Sequence, residues 1–189
     1  LDLTTGELSA FEVEGEDVTD TNPIFDRFSQ EVVGFSWVDD LPRQVFVERN
    51  LNALQGQLRD ILTEDSFVFV SWAQNFSKIV IEARDVGQPA NYYLLDLTTG
   101  GLGLLDTEIQ LADGQVLGPR HYLRYEASDG LDIGAWLSTP AGWEEGDPAL
   151  PLIIMPHGGP QSRDMGLFDW WVSYYTDLGY AVLQPNYRG

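Results

Sequence analysis

Near the end of this 189-residue chain, two apolar runs, "LIIMP" from Leu152 and "YAVLQPN" from Tyr180, enclose a segment with Phe168, Trp171, Tyr175 and Leu178 spaced 3, 4 and 3. A continuous apolar run of this length suits a strand buried on both faces, and the 3-4-3 spacing marks one face of a helix, which Gly179 would end. Strand, helix, strand in this order returns the chain to the end from which it started, so the two strands must be parallel. This feature narrows the fold more than any other, because it demands an α/β layer. The last strand, around Leu183, is expected to keep its outer edge unpaired, and such an edge invites self-association.

Everything upstream obeys a different pattern. "HYLRYEA", Ser128-Asp129-Gly130 and "LDIGAWLST" read as two alternating strands about a tight turn, followed by the Pro-, Gly- and acid-rich linker "PAGWEEGDPALP". Before residue 119 come short β-rich runs, "EVVGFSWV", "SFVFVSWA", "KIVIEARD" and "NYYLLDL", parted by Asp, Asn, Gly and Pro. The opening "LDLTTGEL" returns as "LDLTTGGL" from Leu95, an offset of 95 − 1 = 94 residues. Half of that interval matches the ~40–50 residues of one four-stranded propeller blade. A middle copy should then fall near Glu48, where "RQVFVE" ends a strand but the turn gives way to "LNALQGQLRDIL". Leu51, Leu54, Leu58 and Ile61 predict a short amphipathic helix in that insert. An antiparallel sheet of another kind could reuse the same strand-turn segment. A closed propeller takes at least about four blades, and this stretch holds fewer, so the sequence reads as cut from something longer. The absence of an initiator Met or a signal-like opening carries the same expectation, and it leaves the compartment undetermined.

Composition removes several classes of function. Thirty acids against ten bases give a formal charge of −20, a field that repels nucleic acid and anionic lipid surfaces. No apolar run approaches the roughly 18 residues that cross a bilayer as a helix. With no cysteine and only two, widely separated histidines, disulfides, thiolate catalysis and Cys- or His-built metal sites are excluded, and no cofactor is expected. The acids of "EVEGEDVTD" lack calcium-loop spacing and read as a solvated face. Trp37, Trp72, Trp136, Trp170 and Trp171 are expected to pack in a core or an interface.

The chemistry-bearing stretch is "PHGGPQSRD", immediately after the first apolar run. The end of a parallel strand is where open α/β sheets bind ligands, and adjacent glycines leave main-chain N–H groups bare enough for an oxyanion to approach. A plain strand-to-helix turn would also use these glycines. Joined in order, the β-rich repeat region, "YEASDGLDIGAWL", "LPLIIMPHGGP", "FDWW" and "LGYAVLQPNYRG" resemble the prolyl oligopeptidase family of serine peptidases, nearest its acylaminoacyl-peptidase and dipeptidyl-peptidase-like branch. The resemblance implies an all-β partial β-propeller over residues 1–118, followed by an incomplete α/β-hydrolase domain over 119–189. It implies that Gly159, and beside it Gly158, present backbone oxyanion donors, that His157 orients the loop, and that Asn186 and Arg188 begin a loop beside the active site, in a structural hydrogen-bonding role before one of substrate contact. The family's nucleophile sits in a Gly-x-Ser-x-Gly elbow, and none of the ten serines here lies in that frame. The expected function is thus peptide-bond hydrolysis by a parent protein, with peptides as partners and this fragment inactive alone. A carboxylesterase or lipase-like hydrolase, and a non-catalytic propeller that binds a partner, remain the alternatives.

Overall fold

Strand β5 (Lys78–Arg84) shows how the alternating pattern becomes a core: Ile79, Ile81 and Ala83 are completely buried on one face. Its neighbour β4 (Ser66–Trp72) meets that face with Phe69 and Trp72, three residues apart, because the register shifts between Phe69 and Ser71. Val70 is the extra residue and is exposed. β6 (Asn91–Asp96) and β7 (Gly101–Thr107) complete a four-stranded antiparallel meander in the order β4-β5-β6-β7.

The second "LDLTTG" copy makes the β6–β7 turn. Asp96 accepts from Thr98 N (2.9 Å) with its carboxylate and from Gly100 N (2.8 Å) with its carbonyl, while Gly100 takes the positive φ of 72° that closes the turn. The computed structural model describes residues 21–159 and 161–188, so the first copy of the repeat and the acids of residues 12–20 lie outside the described residues.

A three-stranded antiparallel sheet precedes the meander: β1 (Asn22–Phe25), β2 (Val32–Val38) and β3 (Pro42–Phe46). Helix α1 (Arg49–Leu58) follows it, started by Glu48, whose carboxylate accepts from Leu51 N at 2.7 Å. Phe46 stacks on Phe69 at 5.1 Å and meets Trp72 edge-on at 6.2 Å. Leu51 and Leu58 of the helix join this cluster with Ile79 and Ile81, so α1 and both sheets share one core. The predicted helical stripe fails at its last position. The helix stops at Leu58, Ile61 is exposed in the turn that follows, and Leu62 enters the core instead.

The last sheet is mixed, in the order β10-β11-β9-β8. β8 (Arg120–Glu126) and β9 (Asp132–Ser138) form the expected hairpin, and β10 (Leu152–Ile154) runs parallel to β11 (Ala181–Asn186) across helix α2 (Trp170–Asp177). Three expectations need correction here. β11 is not an edge strand: it lies between β10 and β9, paired on both sides, so the edge at Leu183 is closed. The edge strands are β8 and β10, and in β10 Leu152 and Ile154 are 53% and 63% exposed rather than buried on both faces. A last-in-sequence strand need not be last in a sheet, because the α2 crossover inserts β11 between the hairpin and β10.

The third correction concerns α2. Asp169 caps it by accepting from Trp171 N (2.8 Å) and Val172 N (3.2 Å), and Gly179, at φ 89°, ends it. The buried residues are Val172 and Thr176, while Trp171 and Leu178 of the expected face are exposed. Trp170 is exposed as well, stacked on Trp171 at 4.1 Å, so neither tryptophan packs in a core. The physical reason is polar: Arg120 is buried beneath the helix start and is attracted by the Asp169 carboxylate, and the face made by Val172 and Thr176, which follow Asp169, is buried at the expense of the bulkier aromatic face. Trp72 and Trp136 are buried as expected. Among the described residues no helix is long and apolar enough to cross a membrane.

Candidate functional site

The parallel ladder between β10 and β11 continues one step past β10, where Met155 N donates to Leu183 O at 2.8 Å. The chain then leaves the sheet as Pro156-His157-Gly158-Gly159, so this motif stands at the carboxyl end of a parallel strand, while its Pro160 lies outside the described residues. Both glycines are exposed, and neither N–H has an internal hydrogen-bond partner among the described residues. Their steric demands differ. Gly159 has φ 139°, and a Cβ there would meet Gln161 N at 2.9 Å and Ser162 Cβ at 3.2 Å, whereas a Cβ at Gly158 would meet nothing within 4 Å.

His157 is held from three directions. Its ring stacks on Tyr187 at 4.3 Å and 9°, its carbonyl accepts from the Tyr187 hydroxyl at 2.6 Å, and its Nδ1 lies 3.0 Å from Gly158 O. A carbonyl only accepts, so Nδ1 carries the proton. Nε2 is buried and without a partner among the described residues. Seven residues on, the Asn186 side chain holds both main-chain groups of Asp164: Oδ1 accepts from Asp164 N (2.6 Å) and Nδ2 donates to Asp164 O (3.0 Å). Gln184 Nε2 donates to the carboxylates of Asp164 (3.2 Å) and Asp169 (3.3 Å). Burial pushes the Asp164 carboxyl up from its ordinary value, against the pull of nearby His157 and Arg120.

Beneath this loop Arg120 donates to Ser138 Oγ (3.2 Å) and Met165 O (2.7 Å), with its guanidinium 5.3 Å from the Trp136 ring. Burial pushes its pKa down, opposed by Asp169 and Asp164. The loop also reaches the first two sheets. Arg163 pairs with Asp40 at 2.5 Å, Gly166 N donates to Asp40 O, and Gly87 N donates to Gly166 O, each of the last two at 2.8 Å. Arg188 pairs with Asp129 in the β8–β9 turn at 2.5 Å and is exposed.

The structure thus brings His157, Gly158, Gly159 and Asn186 to one loop and sets Arg188 against the hairpin turn. Sequence reasoning missed Tyr187, Asp164, Gln184 and Arg120. Gln184 carried a signal, being a polar residue inside an apolar strand and only 3% exposed. The group has no set of His, Asp and Glu fit to hold a metal ion among the described residues. What it offers chemically is a pair of uncommitted N–H donors on a braced loop.

No family model matches this chain. It is 28% identical over 106 residues to dipeptidyl aminopeptidase BIII of Pseudoxanthomonas mexicana, which covers 53% of the chain and 15% of that protein. It is 35% identical over 75 residues to the acylamino-acid-releasing enzyme of Sus scrofa, covering 40% and 10%. Among solved structures, one reported in a study of two prolyl endopeptidases superposes with a TM-score of 0.52 over 82% of this chain and 23% of that one, at 14% identity, a likeness of fold. The chain spans no more than 15% of the length of these two curated relatives. Its fold is mostly sheet with few helices, and its structural neighbours are enzymes that join a propeller to an α/β-hydrolase domain. The proteins it is similar to are consistently named as peptidases of the prolyl oligopeptidase family, the family its sequence resembles.

Proposed function

We propose that this chain is the part of a serine peptidase in which a β-propeller, over residues 1–118, passes into an α/β-hydrolase domain, over 119–189. The observation that carries the reading is the pair of exposed, unpartnered N–H groups of Gly158 and Gly159 at the carboxyl end of a parallel strand. The meander β4–β7 supports a propeller blade, and the β10-α2-β11 unit supports the start of the hydrolase sheet. Gly159 N–H is one oxyanion donor, with Gly158 beside it. His157 orients the loop. Asn186 and Arg188 border the place where a peptide would lie, and no cofactor takes part. A single donor of this kind is worth about 3–4 kcal/mol of transition-state stabilisation. Without a Gly-x-Ser-x-Gly serine the 189 residues form half a catalytic site and turn over no substrate alone.

The test is to express the gene product at the length of its relatives and to assay chromogenic peptides and esters with and without a phosphonate. Phosphonate-sensitive peptide turnover is the expected result. Turnover that ignores the phosphonate, or none on any acyl substrate, would remove the reading, and turnover of esters alone would favour an esterase.

A further inference from the structure

We propose that Asn186 and Tyr187, at the end of β11, are positioning residues for the Gly158–Gly159 donors, holding the loop at both its ends; the inference rests on the oxyanion role proposed above. One end is His157, whose carbonyl and ring are both engaged by Tyr187. The other is Asp164, whose N–H and C=O are both engaged by one Asn186 amide. Between these anchors neither glycine N–H has a partner among the described residues, and the peptide that carries the Gly159 N–H is turned by its own carbonyl, Gly158 O, which accepts from His157 Nδ1 at 3.0 Å. The direction of these N–H groups is inherited, through His157 and Asp164, from Asn186, which ends β11 opposite Gly134 of β9, and from Tyr187, the residue that follows the strand. Gln184, two residues earlier on β11, adds a third tie to the Asp164 carboxylate. The Asn186 amide suits this task because it presents an acceptor oxygen and a donor nitrogen side by side, one for the Asp164 N–H and one for its C=O.

A donor whose aim matters only to a developing oxyanion lowers the barrier without tightening substrate binding. In the relatives-length gene product, Tyr187→Phe, which keeps the ring and removes the hydroxyl, and Asn186→Ala should each lower kcat about tenfold or more while KM stays within about twofold. Unchanged kcat, or a raised KM at unchanged kcat, would overturn the proposal. On the 189-residue chain itself, NMR order parameters for the two glycine N–H vectors should fall from about 0.85 to below about 0.6 in either variant. If no form of the protein turns over an acyl substrate, the peptidase reading fails and this second measurement alone decides the brace: lowered order parameters sustain it, and unaltered ones refute it.

Discussion

Arg120→Met is the substitution whose consequence the structure defines most fully. Methionine keeps the hydrocarbon stem against Trp136 but removes the charge and both hydrogen bonds, to Ser138 Oγ and Met165 O. Hydrogen bonds from a charged donor contribute about 1.5–3 kcal/mol each, and relief from burying a guanidinium offsets part of their loss, so the net cost should be about 2–4 kcal/mol. For a chain of this size that lowers Tm by about 10 °C. The loss should also depend on pH. Asp164 already sits above its ordinary value of 3.8 because it is buried, and Arg120 is one of the charges holding it down. Removing Arg120 raises it further. A carboxyl whose folded pKa is raised binds its proton more tightly in the folded than in the unfolded state, so stability is lost as pH rises from near 3.8 through the folded value. Urea melts at pH 5 and pH 8 should therefore show a wider gap between wild type and Arg120→Met at pH 8. Asp164→Asn in that background should recover the pH-dependent part. A gap of equal size at both pH values, or strict additivity of the two substitutions, would refute the idea that Arg120 neutralises this loop.

Three further outcomes follow from single contacts. Gly159→Ala should destabilise by about 1–3 kcal/mol, because a side chain at a strained positive φ must also displace Gln161 N, whereas Gly158→Ala should leave the melting temperature within a degree or so; paired thermal melts separate the two. Asp26 is held down to about 2, chiefly by the Trp72 indole N–H at 2.9 Å and then by Ser29 N, so it supports folding above 3.8 and that support is lost as pH falls towards 2. Trp72→Phe should bring its NMR-titrated pKa back up towards 3.8, and an unmoved titration would refute the assignment. Ile154→Lys on the open edge of β10 should reduce any self-association seen by light scattering without lowering stability, since the side chain it replaces is 63% exposed; persistent oligomers would move the contact elsewhere.

Much of this molecule was legible before any coordinates, and the legible parts share one property. The β8–β9 hairpin, the Asp-Leu-Thr-Thr-Gly turn, the Gly179 helix stop and the position of the glycine loop at the end of β10 all depend on residues a few positions apart. Side-chain period and turn chemistry act over that range, so they are written in the order of residues. Where local reasoning failed, it assumed that size decides burial: Trp171 and Leu178 were expected inside and are outside.

The sequence by itself determined the element types, the parallel β10-α2-β11 unit and the presence of two bare glycines behind a histidine. Only the tertiary structure decided that β11 slots between β10 and β9, that α2 buries Val172 and Thr176, and that the glycine loop is braced at all. The bonds responsible join Asp164 to Asn186 over 22 residues, His157 to Tyr187 over 30 and Arg120 to Met165 over 45. Pairings at such separations are set by strand order and by the need to satisfy buried polar groups, and both come into being only when the sheet assembles.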